Sequence, residues 1–100
     1  MSGFRLSPEA ESQLDTIWVY IARESGSINT AKRVIDQITE RFWLLAQHPF
    51  IGGRRHDLRD GLRCFTAGNY VIIYAVEEDE TVAILYVFHG SQDIEHFFQL

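Results

Sequence analysis

One stretch of this chain concentrates positive charge and has the residue types to contact an anionic partner. Its cations are Arg54, Arg55, His56 and Arg59, and they are diluted by two acidic residues, Asp57 and Asp60. A basic loop of this kind binds DNA or an acidic protein surface, but it also occurs simply as a solvated loop. We treat Arg54, Arg55 and Arg59 as candidate partner-binding residues.

The other residues capable of chemistry lack the sequence neighbours that the chemistry requires. Cys64 is the only cysteine and lies in an apolar run, which indicates a buried thiol rather than a nucleophile. His48 and His56 lack the carboxylate or thiolate spacing of a metal site, and the chain shows no cofactor motif. His89 ends an apolar strand candidate, where a hydrogen bond to nearby backbone is its simplest role.

Charge is unevenly distributed along the chain. Residues 1–63 contain all nine Lys and Arg, whereas residues 64–100 contain six of the fourteen Asp and Glu and no Lys or Arg. The asymmetry favours a charged protein partner over a nucleic-acid-binding domain, which would normally carry a basic face. Solubility alone is the alternative explanation. We expect no sequence-specific nucleic-acid binding.

Length and composition fit a single soluble domain over residues 1–100. Hydrophobic residues make up 46% and charged residues 23%, which is ordinary for a globular protein. A lone cysteine cannot form a disulfide framework, and neither a secretory leader nor a bilayer-length apolar run is visible. We therefore expect a cytoplasmic protein with no membrane partner.

Two amphipathic helices are predicted in the first half. The first begins at Ser7-Pro8, because serine caps free amides and proline tolerates the first helical position, and it ends at Gly26. The second begins after Asn29 or Thr30 and ends at His48-Pro49, since proline cannot continue a helix. The short connection predicts an antiparallel hairpin whose apolar stripes must be buried against another element.

That other element is predicted in the second half. Residues 62–66, 70–76 and 82–88 are strand candidates, the last two joined by the charged turn Glu77–Glu80, and residues 4–6 form a short first strand. The last two strands are apolar on both sides, as in central strands or strands with an exposed sticky face. A short terminal helix is predicted between Asp93 and Leu100.

Several local patterns, taken in order, resemble the RelE/ParE toxin superfamily of bacterial type II toxin–antitoxin systems. The matching segments are Leu6–Ala10, Leu45–Pro49 with Gly52, Leu58–Arg63, Tyr70–Tyr74 and Val87–Asp93. The resemblance implies an α+β fold, βααβββ, with a helical hairpin packed on a mostly antiparallel twisted sheet. It also implies plasmid stabilisation, silencing by a cognate antitoxin, and oligomers formed through the antitoxin complex.

The superfamily offers two kinds of activity. RelE-like members are ribosome-dependent messenger-RNA endonucleases that work without a metal: the 2′-hydroxyl attacks the adjacent phosphorus. Such a site needs a proton acceptor, a proton donor and cations for the pentavalent phosphate. ParE-like members bind DNA gyrase, which requires a binding surface but no catalytic groups.

This chain departs from the nuclease pattern at its basic positions. A basic residue usually follows the first tyrosine of the Tyr-x-x-x-Tyr strand, and here it is Val71; a basic pair often follows the glycine after the last strand, and here it is Ser91-Gln92. Each missing cation costs on the order of hundredfold in rate. In a nuclease the catalytic residues would be Arg63 and His89, although an ion pair across the sheet is the simpler role for Arg63.

We therefore predict a gyrase-binding toxin with no catalytic residues and no cofactor rather than an enzyme. The candidate partner-binding residues are Arg54, Arg55, Arg59, Trp18, Phe97 and Phe98, with Leu100 adding apolar surface at the end of the chain. The alternatives are a ribosome-dependent endonuclease and an inactive, decayed toxin that still binds its antitoxin.

Overall fold

A computed structural model describes residues 3–99, in which two long helices cover one face of a five-stranded sheet. The strands are β1 (Phe4–Leu6), β2 (Gly53–Arg54), β3 (Arg63–Ala67), β4 (Tyr70–Val76) and β5 (Val82–His89). The helices are α1 (Pro8–Ser25), α2 (Ile28–Gln47) and α3 (Ile94–Phe97). The strand order is β1-β5-β4-β3-β2, and β1 alone pairs in parallel, with β5. The predicted α+β fold is confirmed, with the two-residue edge strand β2 as an addition.

The start of α1 is tied directly to the sheet by its capping residue. The Ser7 hydroxyl accepts a hydrogen bond from Ala10 N at 3.0 Å and donates one to Leu85 O at 2.6 Å. Gly26 ends the helix with a φ of 67°, a left-handed conformation that costs glycine little. The predicted boundaries of α1 are confirmed, and its cap also fixes the helix against β5.

Helix α2 begins earlier than the sequence pattern indicated. Ser27 is its N-cap and accepts from Thr30 N at 3.1 Å, so the predicted start after Asn29 or Thr30 was too late. The pattern misled because Ile28, in the first turn, is 68% exposed and does not belong to the buried stripe. The predicted end is confirmed at His48. Two residues connect α1 and α2, which gives the expected helical hairpin.

The sheet carries an apolar cluster on each face. The cluster on the helix side includes Ile38, Phe42, Leu45, Ile72, Tyr74, Val82, Ile84 and Val87. The cluster on the opposite side contains Leu58, Leu62, Ile73 and Phe88, with Cys64, Ile94 and Phe98 packed against it. Both sides of β4 and β5 are thus covered, which explains why both strands are apolar in both alternation phases.

A bulge interrupts the ladder between β4 and β5. Ile73 pairs with Tyr86 and Tyr74 pairs with Ile84, so Leu85 is the extra residue on β5. Leu85 and Tyr86 consequently both pack on the side opposite the long helices, while Ile84 and Val87 face those helices. The predicted strands lie within one residue of the observed ones, but the bulge itself was not predicted.

The chain returns over the second face of the sheet through the short helix α3. Asp93 caps it by accepting from His96 N at 3.0 Å. The helix is shorter than the predicted segment from Asp93 to Leu100, and Leu100 itself lies outside the described residues. Within residues 3–99 no helix is both long and apolar enough to cross a membrane.

Candidate interaction surfaces

One end of the helix-covered face is closed by hydrogen bonds from β3 and β4. Tyr74 is fully buried, and its hydroxyl donates to Pro49 O at 2.7 Å and accepts from Gly52 N at 3.0 Å. A Cβ atom added to Gly52 would collide with that hydroxyl and lie 2.6 Å from Cys64 O. Only glycine fits at this position, so Gly52 and Tyr74 lock the loop that follows α2.

Arg63 reinforces the same loop. Its Nη1 donates to Gly52 O at 2.8 Å and to Phe50 O at 3.2 Å, and its guanidinium lies 5.1 Å from the centre of the Phe50 ring. The prediction that Arg63 forms an ion pair across the sheet is wrong, because its partners are backbone carbonyls and an aromatic ring. Its cross-strand neighbour is another cation, Arg54. That neighbour favours turning the Arg63 guanidinium away toward the loop.

The other end of this face, around His89, is open. His89 pairs with Tyr70 across the ladder, and the two rings are nearly perpendicular, with centroids 5.3 Å apart. His89 Nδ1 accepts from Ser91 N at 3.0 Å and lies 2.7 Å from Ser91 Oγ. The backbone hydrogen bond expected for this strand-end histidine is confirmed.

Tyr20 of α1 completes a cleft of about 320 Å³ around this pair. Its lining residues are Thr16, Ile17, Tyr20, Tyr70, His89, Ser91 and Gln92. Burial raises the pKa of the Tyr70 hydroxyl, with the nearby Tyr20 hydroxyl adding to the effect. The shift moves the pKa further from physiological pH, at which a tyrosine is already neutral.

The two residues named for a nuclease lie at these opposite ends. Arg63 pairs with Tyr74 and His89 pairs with Tyr70, four residues earlier on β4, and the two flank β4 on either side. Strand rise and strand spacing put their Cα atoms about 17 Å apart. Because the Arg63 guanidinium is turned toward Phe50 O and Gly52 O, the two side chains do not converge on one phosphate.

Beyond Ile84, no strand within residues 3–99 pairs with the outer edge of β5. Strand β1 reaches only from Val82 to Ile84 of β5, so the amides that follow need other acceptors. Gln13 Oε1 accepts from Val87 N at 2.7 Å, and Gln92 Oε1 accepts from His89 N at 2.6 Å. Two glutamine side chains therefore stand where the carbonyls of a neighbouring strand would be.

A cluster of aromatic rings covers part of the second face of the sheet, where the last residues of the chain pack on β5. Phe97 lies 5.2 Å from the Tyr86 ring and 5.1 Å from the Phe88 ring, and Phe98 lies 5.4 Å from Tyr86. Phe98 is half-buried, whereas Phe97 remains 43% exposed. We call these four rings, Tyr86, Phe88, Phe97 and Phe98, the aromatic cluster.

The basic loop contacts α3 and the residue that follows it, Phe98, through two of its arginines. The Arg59 guanidinium lies 5.3 Å from the centre of the Phe98 ring. Arg55 donates to both carboxylate oxygens of Asp57 at 3.0 and 2.9 Å and lies 3.7 Å from Glu95. The Arg55 hydrogen bonds hold the pKa of Asp57 below its usual range. Arg59, Phe97 and Phe98 therefore form one surface.

The remaining predicted residues lie elsewhere. Arg54 is exposed on the edge strand β2, and Trp18 is half-buried on α1, on the other side of the sheet from α3. Cys64 is half-buried against the second cluster, so it is less enclosed than the buried thiol that was predicted. In the described part of the chain no group of three His, Cys, Asp or Glu residues could hold a metal ion.

Sequence reasoning missed three residues that shape these surfaces. Gln13 and Gln92 hold the edge amides of β5, and Tyr20 forms one wall of the cleft. A polar glutamine on a helix or loop carries no signal of such a role. The exposed Tyr20 offered a weak signal, because it lies outside the apolar stripe of α1.

Comparison with known proteins agrees with the architecture. Residues 4–94 match the family model described as the ParE toxin of type II toxin–antitoxin systems, parDE. Toxin ParE1 of Caulobacter vibrioides is 31% identical over 93 residues, which cover 93% of this chain and 94% of the relative. Toxin ParE1 of Mycobacterium tuberculosis is 27% identical over 94 residues, covering 94% and 95%.

Two solved structures share the fold. The chromosomal ParDE toxin–antitoxin system of P. aeruginosa matches with a TM-score of 0.77 at 21% identity, over 89% of this chain and 96% of that one. The RelBE2 toxin–antitoxin complex of Mycobacterium tuberculosis matches with a TM-score of 0.64 at 21% identity, over 88% and 96%. The resemblance drawn from the sequence is confirmed: the chain belongs to the ParE toxin family of type II toxin–antitoxin systems.

Proposed function

We propose that this toxin acts by binding DNA gyrase and that a cognate antitoxin silences it by covering part of its surface. The observation that carries the proposal is a pair of accessible surfaces at β5. One is the outer edge, where Gln13 and Gln92 accept from the backbone amides, and the other is the adjoining aromatic cluster. Both are suited to a polypeptide partner, since they offer backbone hydrogen bonds and exposed rings.

The antitoxin would add an extended segment along the outer edge of β5. Its carbonyls would replace the glutamine oxygens on Val87 N and His89 N. Alternate side chains of an added strand point to opposite faces of the sheet. One set would enter the cleft at Tyr70 and His89, and the other would meet the groove lined by Gln13, Tyr86 and Phe97.

The gyrase contact is proposed for the helical hairpin and the carboxyl-terminal surface. Trp18 is the candidate on the hairpin, and Phe97, Phe98 and Arg59 are the candidates on the second face. Arg54 and Arg55 extend that surface along the basic loop. Aromatic and arginine side chains are the residues that most often carry protein–protein binding energy.

Binding rather than RNA cleavage is supported by the disposition of charge. Val71, at a position that is basic in nucleases, packs on the second apolar cluster, and Ser91 engages His89. Nη1 of Arg63 is committed to two carbonyls at the closed end. Without a group of cations converging on one phosphate, the transition state of RNA cleavage would lack its main stabilisation.

A supercoiling assay tests the gyrase proposal. Purified toxin at micromolar concentration should block supercoiling by gyrase and co-elute with it, and Phe97→Ala should weaken both effects. Ile51→Ala is the matched control, because Ile51 is 45% exposed, lies in the loop after α2 and has no proposed role in binding. Absence of binding and of inhibition by the folded wild-type protein would exclude gyrase as the target.

Hydrogen exchange tests the antitoxin proposal. The product of a small reading frame beside the toxin gene should co-purify with the toxin and slow exchange at the Val87 and His89 amides. Protection confined to the outer edge of β3, at Phe65–Ala67, would place the partner at the opposite edge of the sheet and contradict the proposal.

The two alternatives are separated by independent assays. A translating-ribosome cleavage assay in which wild type cuts messenger RNA, and Arg63→Ala and His89→Ala do not, would establish the endonuclease instead. Harmless overproduction in a bacterium without any antitoxin would favour the decayed toxin.

A further inference from the structure

The cleft between α1 and the ends of β4 and β5 is walled by three rings. Tyr70 and His89 meet at an interplanar angle of 89°, which makes a corner, and Tyr20 closes it from the helix. Tyr20 is 61% exposed, so its ring is accessible from solvent. At this angle the edge of one ring meets the face of the other. The ring faces that stay free along the cleft can receive a cation.

The charges around the cleft also favour a cation over an anion. No lysine or arginine among residues 3–99 lines it. Two carboxylates, Asp15 and Glu24, share the neighbouring groove with Tyr20, accompanied by the single cation Arg23. A phosphate would find no counter-ion in the lining, whereas a cation would be electrostatically favoured.

The cleft is held in shape before any ligand arrives. Gln92 Oε1 accepts from His89 N, and Ser91 holds the imidazole through Nδ1. The Tyr70 hydroxyl makes no hydrogen bond within residues 3–99, and burial raises its pKa. A fixed aromatic corner with an unused hydroxyl needs little reorganisation to receive a side chain.

We propose that this cleft binds the guanidinium group of an arginine side chain of a partner polypeptide. Guanidinium is planar, stacks on aromatic faces and is less strongly hydrated than the ammonium of lysine. Its remaining N–H groups can donate to the Tyr70 hydroxyl and to Ser91 Oγ at the rim. The inference depends on the cleft alone, so it does not require the partner to be an antitoxin or gyrase.

A titration of capped tripeptides into isotopically labelled protein tests this site by NMR. Acetyl-Gly-Arg-Gly-amide should shift the signals of Tyr20, Tyr70 and His89 with millimolar affinity. The lysine peptide should bind several-fold more weakly, and the neutral citrulline peptide should not bind. Equal binding of citrulline and arginine, or shifts confined to the acidic turn Glu77–Glu80, would overturn the proposal.

Variants at the exposed wall of the cleft give the second test. Tyr20→Ala should weaken arginine-peptide binding about fivefold, the usual effect of one cation–π contact. Tyr20→Phe, which keeps the ring, should retain binding. Val19→Ala is the matched control, because Val19 is exposed on the same helix and does not line the cleft. Unchanged affinity in Tyr20→Ala would contradict the assignment.

Discussion

Two tyrosines on the same face of β4 mark two ends of the sheet with opposite properties. Tyr74 is fully buried, and its hydroxyl is bonded to Pro49 O and Gly52 N. Tyr70 is half-buried, and its hydroxyl has no partner within residues 3–99. One end of the helix-covered face is therefore closed by the chain itself, and the other is left open beside the unpaired edge of β5.

The difference shows how one motif serves two purposes. In the Tyr-x-x-x-Tyr strand the second tyrosine holds the loop after α2, with Arg63 fastening the same loop from β3. The first tyrosine forms one wall of the open cleft, together with Tyr20 and His89. Substitutions at the closed end should therefore change stability, and substitutions at the open end should change binding.

The largest effect on stability is expected from Gly52→Ala. The new methyl group would overlap the Tyr74 hydroxyl and lie 2.6 Å from Cys64 O, in a region without room to relax. Overpacking together with a broken buried hydrogen bond should cost about 4 kcal/mol of unfolding free energy. Thermal unfolding should shift down by about 20 °C.

Gly53→Ala supplies the control for that substitution. A Cβ on Gly53 has nothing within 4 Å, so this neighbouring variant should melt close to wild type. Equal melting temperatures for the two variants would mean that the loop after α2 is not locked as described.

The second prediction compares the two tyrosines directly. Tyr74→Phe leaves Pro49 O and Gly52 N without their partner in a buried site, which should lower the unfolding free energy by about 2 kcal/mol. Tyr70→Phe removes a hydroxyl with no internal partner and should stay within about 0.5 kcal/mol of wild type. Denaturant unfolding of both variants measures the difference, and a larger loss in Tyr70→Phe would reverse the comparison.

Much of the helical hairpin and of β4 could be predicted from sequence, because their features are local. The helix caps at Ser7 and Gly26, the proline after α2 and the continuous apolar run of β4 each depend on residues close in the chain. The start of α2 was placed too late because an exposed isoleucine hid the capping serine. The Leu85 bulge had no local signal, since it arises from pairing between strands.

The open end was less predictable because it is assembled from distant segments. Residue types identified His89, Phe97 and Phe98 as candidates. The contacts of Gln13 with Val87 and of Tyr20 with the cleft depend on how α1 crosses the sheet. For Arg63 the residue type was misleading. Arginine indicated an ion pair or a phosphate contact, but in the fold its Nη1 donates to two backbone carbonyls.

A smaller loss of stability is expected from Arg63→Lys. Lysine keeps the charge but cannot reach two carbonyls in the plane of a guanidinium or stack on Phe50 in the same way. The unfolding free energy should fall by about 1 kcal/mol. Arg54→Lys, on the exposed edge strand, is the control and should be neutral. Equal values for the two variants would show that the Arg63 contacts do not hold the loop.

The finest distinction between the two ends is their response to alkaline pH. Burial raises the pKa of both tyrosines, and at Tyr74 the Gly52 amide and the Arg63 charge partly oppose that rise. Because the folded state holds these protons more tightly than the unfolded chain, both groups destabilise the fold as pH rises above about 10. Difference titrations of phenolate absorbance between wild type and each Tyr→Phe variant should give midpoints above about pH 10 for both residues. Unfolding free energy should decline less steeply over this range in each variant than in wild type, because one of the two protons is gone. A Tyr70 midpoint at or below about pH 10 would mean that solvent reaches its hydroxyl freely and that the cleft is wider than described.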